Sequence, residues 1–251
     1  MTPEFLLFAD LVLLLRLRLL LSDGALGWGR WLGKGLVETA ALALFAPHPF
    51  LLGAGFTNIA LNVAAGYWDR RARDRNAGRL IFGIAQLAAL SVWFSAAGGV
   101  QFRAELAEFG AGLASWSALG GELKRVVSPS GLKILLGLLL AANEANLLVR
   151  WSLGRLQIKP GNISLISTGI DSSEFNRGRV IGLLERGLIY AFVLSGQFGA
   201  IGFTLAAKGF TRFKELENRG FAEYVLIGTL LSSSVALAAG AWVKLTLPAM
   251  P

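Results

Sequence analysis

The sequence predicts an all-α, polytopic integral membrane protein, and three observations carry that expectation. Only 16% of the residues are charged, against about 25% in an ordinary soluble domain. The hydrophobic share is 54% and the mean hydropathy is +0.58. This apolar excess falls in blocks of roughly 20 residues, the length that crosses a hydrocarbon core of about 30 Å. Nor do apolar and polar residues alternate over segments of about ten, as the strands of an outer-membrane barrel would. A soluble globular enzyme and a disordered chain are both excluded.

Residue types close further doors. The chain has no Cys and a single His, so no disulfide framework, zinc ribbon, iron–sulfur cluster, thiol nucleophile, HExxH site or pair of axial haem histidines is available. No metal and no cofactor is expected. The formal charge of +8 reads as Lys and Arg gathered in cytoplasmic loops against anionic lipid headgroups, not as a nucleic-acid interface. The expected location is the bacterial inner membrane, with several crossings.

About six hydrophobic segments are expected in one transmembrane domain, residues 1–251. The first, 4–22, carries Asp10, Arg16 and Arg18. Its favourable Leu, Val and Phe terms nearly cancel against these charges at the bilayer centre. Both arginines are expected to snorkel towards Ser22 as anchors of the helix end. Met1-Thr2-Pro3-Glu4 lacks a basic leader region and reads as the start of an uncleaved segment. Residues 23–35, rich in Gly and Trp, read as an interfacial turn. Gly33-Lys34 lacks the remaining parts of a phosphate loop.

The second segment, 36–67, is interrupted by Pro47-His48-Pro49. It reads either as two helices meeting near a membrane surface or as one broken helix. Asn58, Asn62 and Asp69 form one polar stripe, with interhelical hydrogen bonding the expected role of the asparagines. Residues 69–79, with five Arg against two Asp, give the strongest cytoplasmic-loop signal. Their Asp-x-x-Ala-Arg fragment lacks the downstream aspartates that a lipid alcohol phosphotransferase needs.

Segment 80–99 follows, with Gln86 inside it. A mixed connection, 101–130, contains an amphipathic stretch from Ala104 to Trp116. Segment 131–151 places Asn143, Asn146 and Arg150 on one face with Glu144 beside them, an arrangement that must face protein or water. Segment 181–207 is bounded by the basic stretches 152–180 and 208–220. One crossing would put 208–220 outside; a hairpin broken at Ser195-Gly196-Gln197 keeps both basic stretches cytoplasmic. Segment 221–246 is the last.

Residues 178–230 contain Gly182-x-x-Glu185-Arg186, Ala200-Ile201-Gly202-Phe203, Ala206-Ala207-Lys208, Arg212-Phe213, and Glu223-Tyr224 followed by Ile227-Gly228-Thr229-Leu230. In order and spacing this part resembles the C-terminal half of an uncharacterised family of bacterial polytopic membrane proteins, classed as a domain of unknown function. The resemblance implies a multi-helix inner-membrane protein and brings no established activity with it.

The candidate ligand or ion-pair residues are Asn143, Glu144, Asn146, Arg150, Glu185, Arg186, Lys208, Arg212 and Glu223. Glu185 and Glu223 are expected to neutralise Arg186, Lys208 or Arg212 at a helix junction. Three functional classes follow. The first is a non-catalytic scaffold or accessory subunit of a larger inner-membrane complex, with lipids, other membrane subunits or a second copy as partners. The second is a small transporter or channel built on the helix break. A lipid-modifying enzyme ranks last, because Glu105 and Glu108, or Glu215 and Glu217, sit in strongly polar loops.

Overall fold

The computed structural model describes residues 1–20, 22, 24–95, 98–106, 108, 112, 118–156, 172–211 and 219–248. Among them the regular elements are helices, with one isolated antiparallel bridge between Phe45 and Phe102. Three stretches are long and apolar enough to cross a membrane: Pro49–Arg71, Pro129–Arg155 and Ala222–Thr246. The chain divides into two compact units, Met1–Leu136 and Gly137–Pro251.

The first unit is built on α1 (Pro3–Arg16), α2 (Trp28–Ala41), α3 (Pro49–Arg71) and α4 (Arg75–Trp93), with α5 (Ala118–Val127) after them. Local chemistry sets several boundaries. The Thr2 hydroxyl accepts from the Phe5 amide at the start of α1, and the Asp74 carboxylate accepts from the Ala77 amide at the start of α4, each satisfying a donor with no helical partner. Pro49 opens α3, where its missing N–H costs nothing. The interrupted segment 36–67 therefore resolves into two helices joined at Pro47-His48-Pro49.

Neighbouring helices run antiparallel. Gly35 lies against Asn62 and Gly66 against Trp31, which pairs α2 with α3. Gly53 lies against Trp93 and Gly78 against Trp68, which pairs α3 with α4. Thr2 Oγ1 donates to the Phe94 carbonyl (3.0 Å) and Arg16 Nη2 to the Arg79 carbonyl (2.8 Å), so α1 runs against α4. One end of this unit is an aromatic cluster of Phe8, Phe45, Phe94 and Phe102; the other carries Arg16, Arg70, Arg71, Arg75 and Arg79.

Two expectations are corrected. Residues 28–35 are not an interfacial turn but the first half of α2, with Trp31, Lys34 and Gly35 buried. The run 69–79 is not one loop, because α3 continues to Arg71 and α4 begins at Arg75. In both places charged residues have found partners within the bundle, which composition does not show.

In the second unit, α6 (Pro129–Leu139), which enters it at Gly137, passes through a π-turn at Leu140–Glu144 into α7 (Ala145–Arg155). Then come α8 (Ser172–Ser195), α9 (Phe198–Thr211) and α10 (Arg219–Thr246). Contacts of α8 with α10 advance in the same direction, from Arg186–Ser232 to Val193–Gly240, so these helices are parallel. The α6–α7 stretch opposes both, from Gly137 against Val243 to Leu153 against Gly228. The break expected within 181–207 is present at Gly196, whose φ is +73°.

On parts of α3 and α8 polar side chains are buried while large apolar ones are exposed. On α3 the buried residues include Ala54, Gly55, Asn58, Asn62, Gly66 and Asp69, while Phe50, Leu52, Phe56, Ile59 and Tyr67 are exposed. On α8, Glu185 and Arg186 are buried while Ile181, Leu184 and Leu188 are exposed.

Candidate functional site

In the second unit the structure brings together much of the cluster expected from sequence. Lys208 on α9 pairs with Glu185 on α8 at 2.5 Å. Glu185 stands eleven residues before Gly196 and Lys208 twelve after it, so the pair closes the hairpin about 17 Å from its tip at 1.5 Å per residue. Arg186 turns to other partners: Nη1 donates to Ser232 Oγ (3.2 Å) and Nη2 to the Ala142 carbonyl (3.1 Å). A π-turn leaves a carbonyl outside the regular ladder, and Arg186 caps one there.

Asn143 is fully buried and donates to Glu144 Oε1 at 2.9 Å. Asn146 is buried one turn on, and Arg150 is half-buried. The buried atoms Asn143 Oδ1, Asn146 Nδ2, Glu185 Oε1, Arg186 Nε and Ser233 Oγ have no hydrogen-bond partner among the described residues. Glu223 stands apart from the Arg186 contacts. It is exposed near the start of α10, nine residues and about 13 Å of helix from the Ser232 contact. The acid that neutralises Lys208 is Glu185, and Arg212 lies outside the described residues.

The first unit holds a denser network, only part of which was expected. Lys34 and Glu38, one turn apart on α2, pair at 2.5 Å. Lys34 Nζ also donates to Asn62 Oδ1 (2.9 Å) and Gln86 Oε1 (3.2 Å). Glu38 Oε2 accepts from Asn62 Nδ2 (2.8 Å) and Gln86 Nε2 (3.0 Å), and Gln86 also donates to Asn58 Oδ1 (2.6 Å). The stripe of Asn58 and Asn62 thus makes the interhelical bonds expected of it, around a lysine–glutamate pair that the sequence reading passed over.

A second knot forms at the arginine-bearing end. Asp69 accepts from Arg79 Nε (2.7 Å), the Leu26 amide (2.7 Å) and Trp31 Nε1 (3.4 Å). Arg79 also donates to the carbonyls of Ser22 and Gly24, both at 2.7 Å. Arg16 is not a snorkelling anchor: it is 1% exposed, donates to the Arg79 carbonyl and packs on Gly83. Arg18 does remain exposed. Asp10 is buried, eight residues past Thr2. Since Thr2 meets Phe94, the antiparallel register puts Asp10 level with Gln86.

Together the buried Lys34, Arg16 and Arg79 balance Glu38, Asp10 and Asp69 in formal charge. No group of His, Asp and Glu that could hold a metal ion occurs among the described residues. Comparison with protein-family models, curated proteins and solved structures finds no match to this chain.

Proposed function

We propose that the chain is a multi-pass protein of a bacterial inner membrane, from the uncharacterised family that residues 178–230 resemble. In this reading it serves as a non-catalytic scaffold or accessory subunit of a larger membrane complex. The observation that carries the reading is the inverted surface. Asn58, Asn62 and Asp69 lie inside and Phe50, Leu52 and Phe56 outside, an order favoured where lipid surrounds the helices and the bundle interior satisfies the polar groups. Balanced buried charges hold the helices in register, a use attested for buried polar groups. The outward aromatic and aliphatic faces are then left for lipid and partner helices.

The charge rule orients each unit. In the first, Arg18, Arg30, Arg70, Arg71 and Arg73 mark the cytoplasmic end. In the second, Arg155, Arg177 and Arg219 lie at or near helix ends that share one side. Both assignments leave the connection around 101–130 outside. The tip of the α8–α9 hairpin carries a Gly196 whose Cβ would stand 3.3 Å from Lys244 Nζ, near the far end of α10. The hairpin thus reaches as deep as α10 does, which favours two short crossings and adds to the expected count of about six segments.

Extraction in mild detergent with native lipids tests the function. The expected result is a stoichiometric assembly, with another membrane subunit or a second copy, that survives size-exclusion chromatography. A chain that elutes alone overturns it. Transport is the second reading, favoured by the hairpin break and by the unpartnered buried atoms around Arg186. Solute flux in proteoliposomes that Glu185→Gln abolishes, with folding intact, would decide for transport.

A further inference from the structure

We propose that the first unit carries a phosphate-binding site between α1 and α2, fitted to the headgroup of an anionic phospholipid. A small cavity of about 20 Å³ opens there, lined by Arg18, Arg30 and Lys34 together with Trp31, Leu26, Leu15 and Leu19, and no carboxylate among the described residues lines it. A space of that size admits one water or one phosphoryl oxygen. The rest of the group would lie at the mouth, where Arg18 and Arg30 are both exposed.

The charges around this cavity are uneven. Lys34 at its inner wall is matched by Glu38. The side chains of Arg18 and Arg30 have neither an ion pair nor a hydrogen bond among the described residues. Arg30 and Lys34 are one turn apart on α2, a spacing at which like charges repel, and the first turn of α2 supplies no acid to offset them. An anion between the two guanidinium groups relieves that repulsion, and the planar fork of arginine matches phosphate oxygens in paired hydrogen bonds. Leu15 and Leu19 give the same cavity an apolar wall, against which the glycerol and first methylenes of a lipid can lie. A phosphatidylcholine headgroup brings a quaternary ammonium towards three cations and is disfavoured. The proposal rests on the membrane reading only for the source of the phosphate.

The test is native mass spectrometry of the full chain in detergent with dioleoylphosphatidylglycerol or dioleoylphosphatidylcholine, and with inorganic phosphate as a separate arm. Two charge-assisted contacts predict retention of phosphatidylglycerol about tenfold above phosphatidylcholine, falling to parity in Arg18→Gln/Arg30→Gln. If the lipids are retained alike, yet inorganic phosphate raises the thermal midpoint of the wild type and not of the variant, the site stands with free phosphate as its ligand. If neither effect occurs, or if the variant keeps the lipid selectivity, the proposal is overturned. Both arginines are exposed, so the variant should keep the wild-type midpoint in neutral detergent. If it unfolds, the single variants Arg18→Gln and Arg30→Gln are read in the same way. Absence of a protein partner leaves this comparison untouched, and loss of lipid selectivity leaves the scaffold reading untouched.

Discussion

Moving an ammonium group out of water costs several kcal/mol even after relaxation, and Lys34 recovers it from Glu38 at 2.5 Å, Asn62 at 2.9 Å and Gln86 at 3.2 Å. Removing one member of such a set is worse than removing the pair, because it strands the other charge. Glu38→Gln should therefore lower stability by about 3–5 kcal/mol, read as unfolding in detergent. The double variant Lys34→Met/Glu38→Met should cost less than Glu38→Gln alone; if it costs more, the buried charges are not what the pair contributes. Sequence showed the two asparagines and Gln86 because they interrupt apolar runs at helical spacing. It hid Lys34 and Glu38 because they follow a Gly- and Trp-rich stretch where charge is ordinarily solvated. It hid Arg79 for a related reason: within a run of arginines, nothing local distinguishes the one that reaches Asp69.

At the level of elements, glycines separate helix propensity from packing. Gly33 sits in α2 with nothing within 4 Å of where a Cβ would stand. Gly33→Ala should stabilise by about 0.4–1 kcal/mol through the unfolded chain and helix propensity. Gly53 on α3 has the Trp93 ring 2.4 Å from that point, and a rigid indole cannot move aside as a flexible chain end can. Gly53→Ala should destabilise by about 1–3 kcal/mol, with detergent unfolding midpoints moving in opposite directions for the two variants. At the hairpin tip, Gly196 has φ +73° with only the flexible end of Lys244 near its Cβ position. The cost of Gly196→Ala is thus mainly backbone, about 1–2 kcal/mol. Gly196→Asn should cost less, since Asn tolerates that region better; equal losses would point to side-chain crowding instead. The break itself was legible from Ser195-Gly196-Gln197 and the flanking basic stretches. The helix at 28–41 was not, since its three glycines read as a turn, although one of them, Gly35, serves close approach to Asn62 on α3.

For the whole molecule, hydropathy and charge placed most helices because lipid acts on long averages, whereas pairing depends on single contacts. The inverted faces make a prediction that composition alone could not. If lipid surrounds the chain as proposed, with Asn58, Asn62, Glu185 and Arg186 among its buried residues, it should stay with membranes after alkaline carbonate extraction. The absence of native cysteine makes its sidedness directly measurable. Under the proposed topology, single cysteines placed at Arg73 and Arg155, at the basic ends of the two units, should react with a membrane-impermeant maleimide only when the cytoplasmic face is opened. A cysteine at Gln197, on the hairpin tip, and one at Gln101, beyond α4, should react in intact spheroplasts. Labelling of Gln197 from the same side as Arg155 would show that the hairpin turns back inside the bilayer, because a full crossing separates its tip from the basic end by the whole hydrocarbon thickness of about 30 Å. Labelling of Arg73 and Gln101 from one side would instead overturn the proposed crossing of α4. That helix spans Arg75–Trp93, about 28 Å at 1.5 Å per residue, just enough to join the unit's end at Arg79 to the aromatic cluster at its other end.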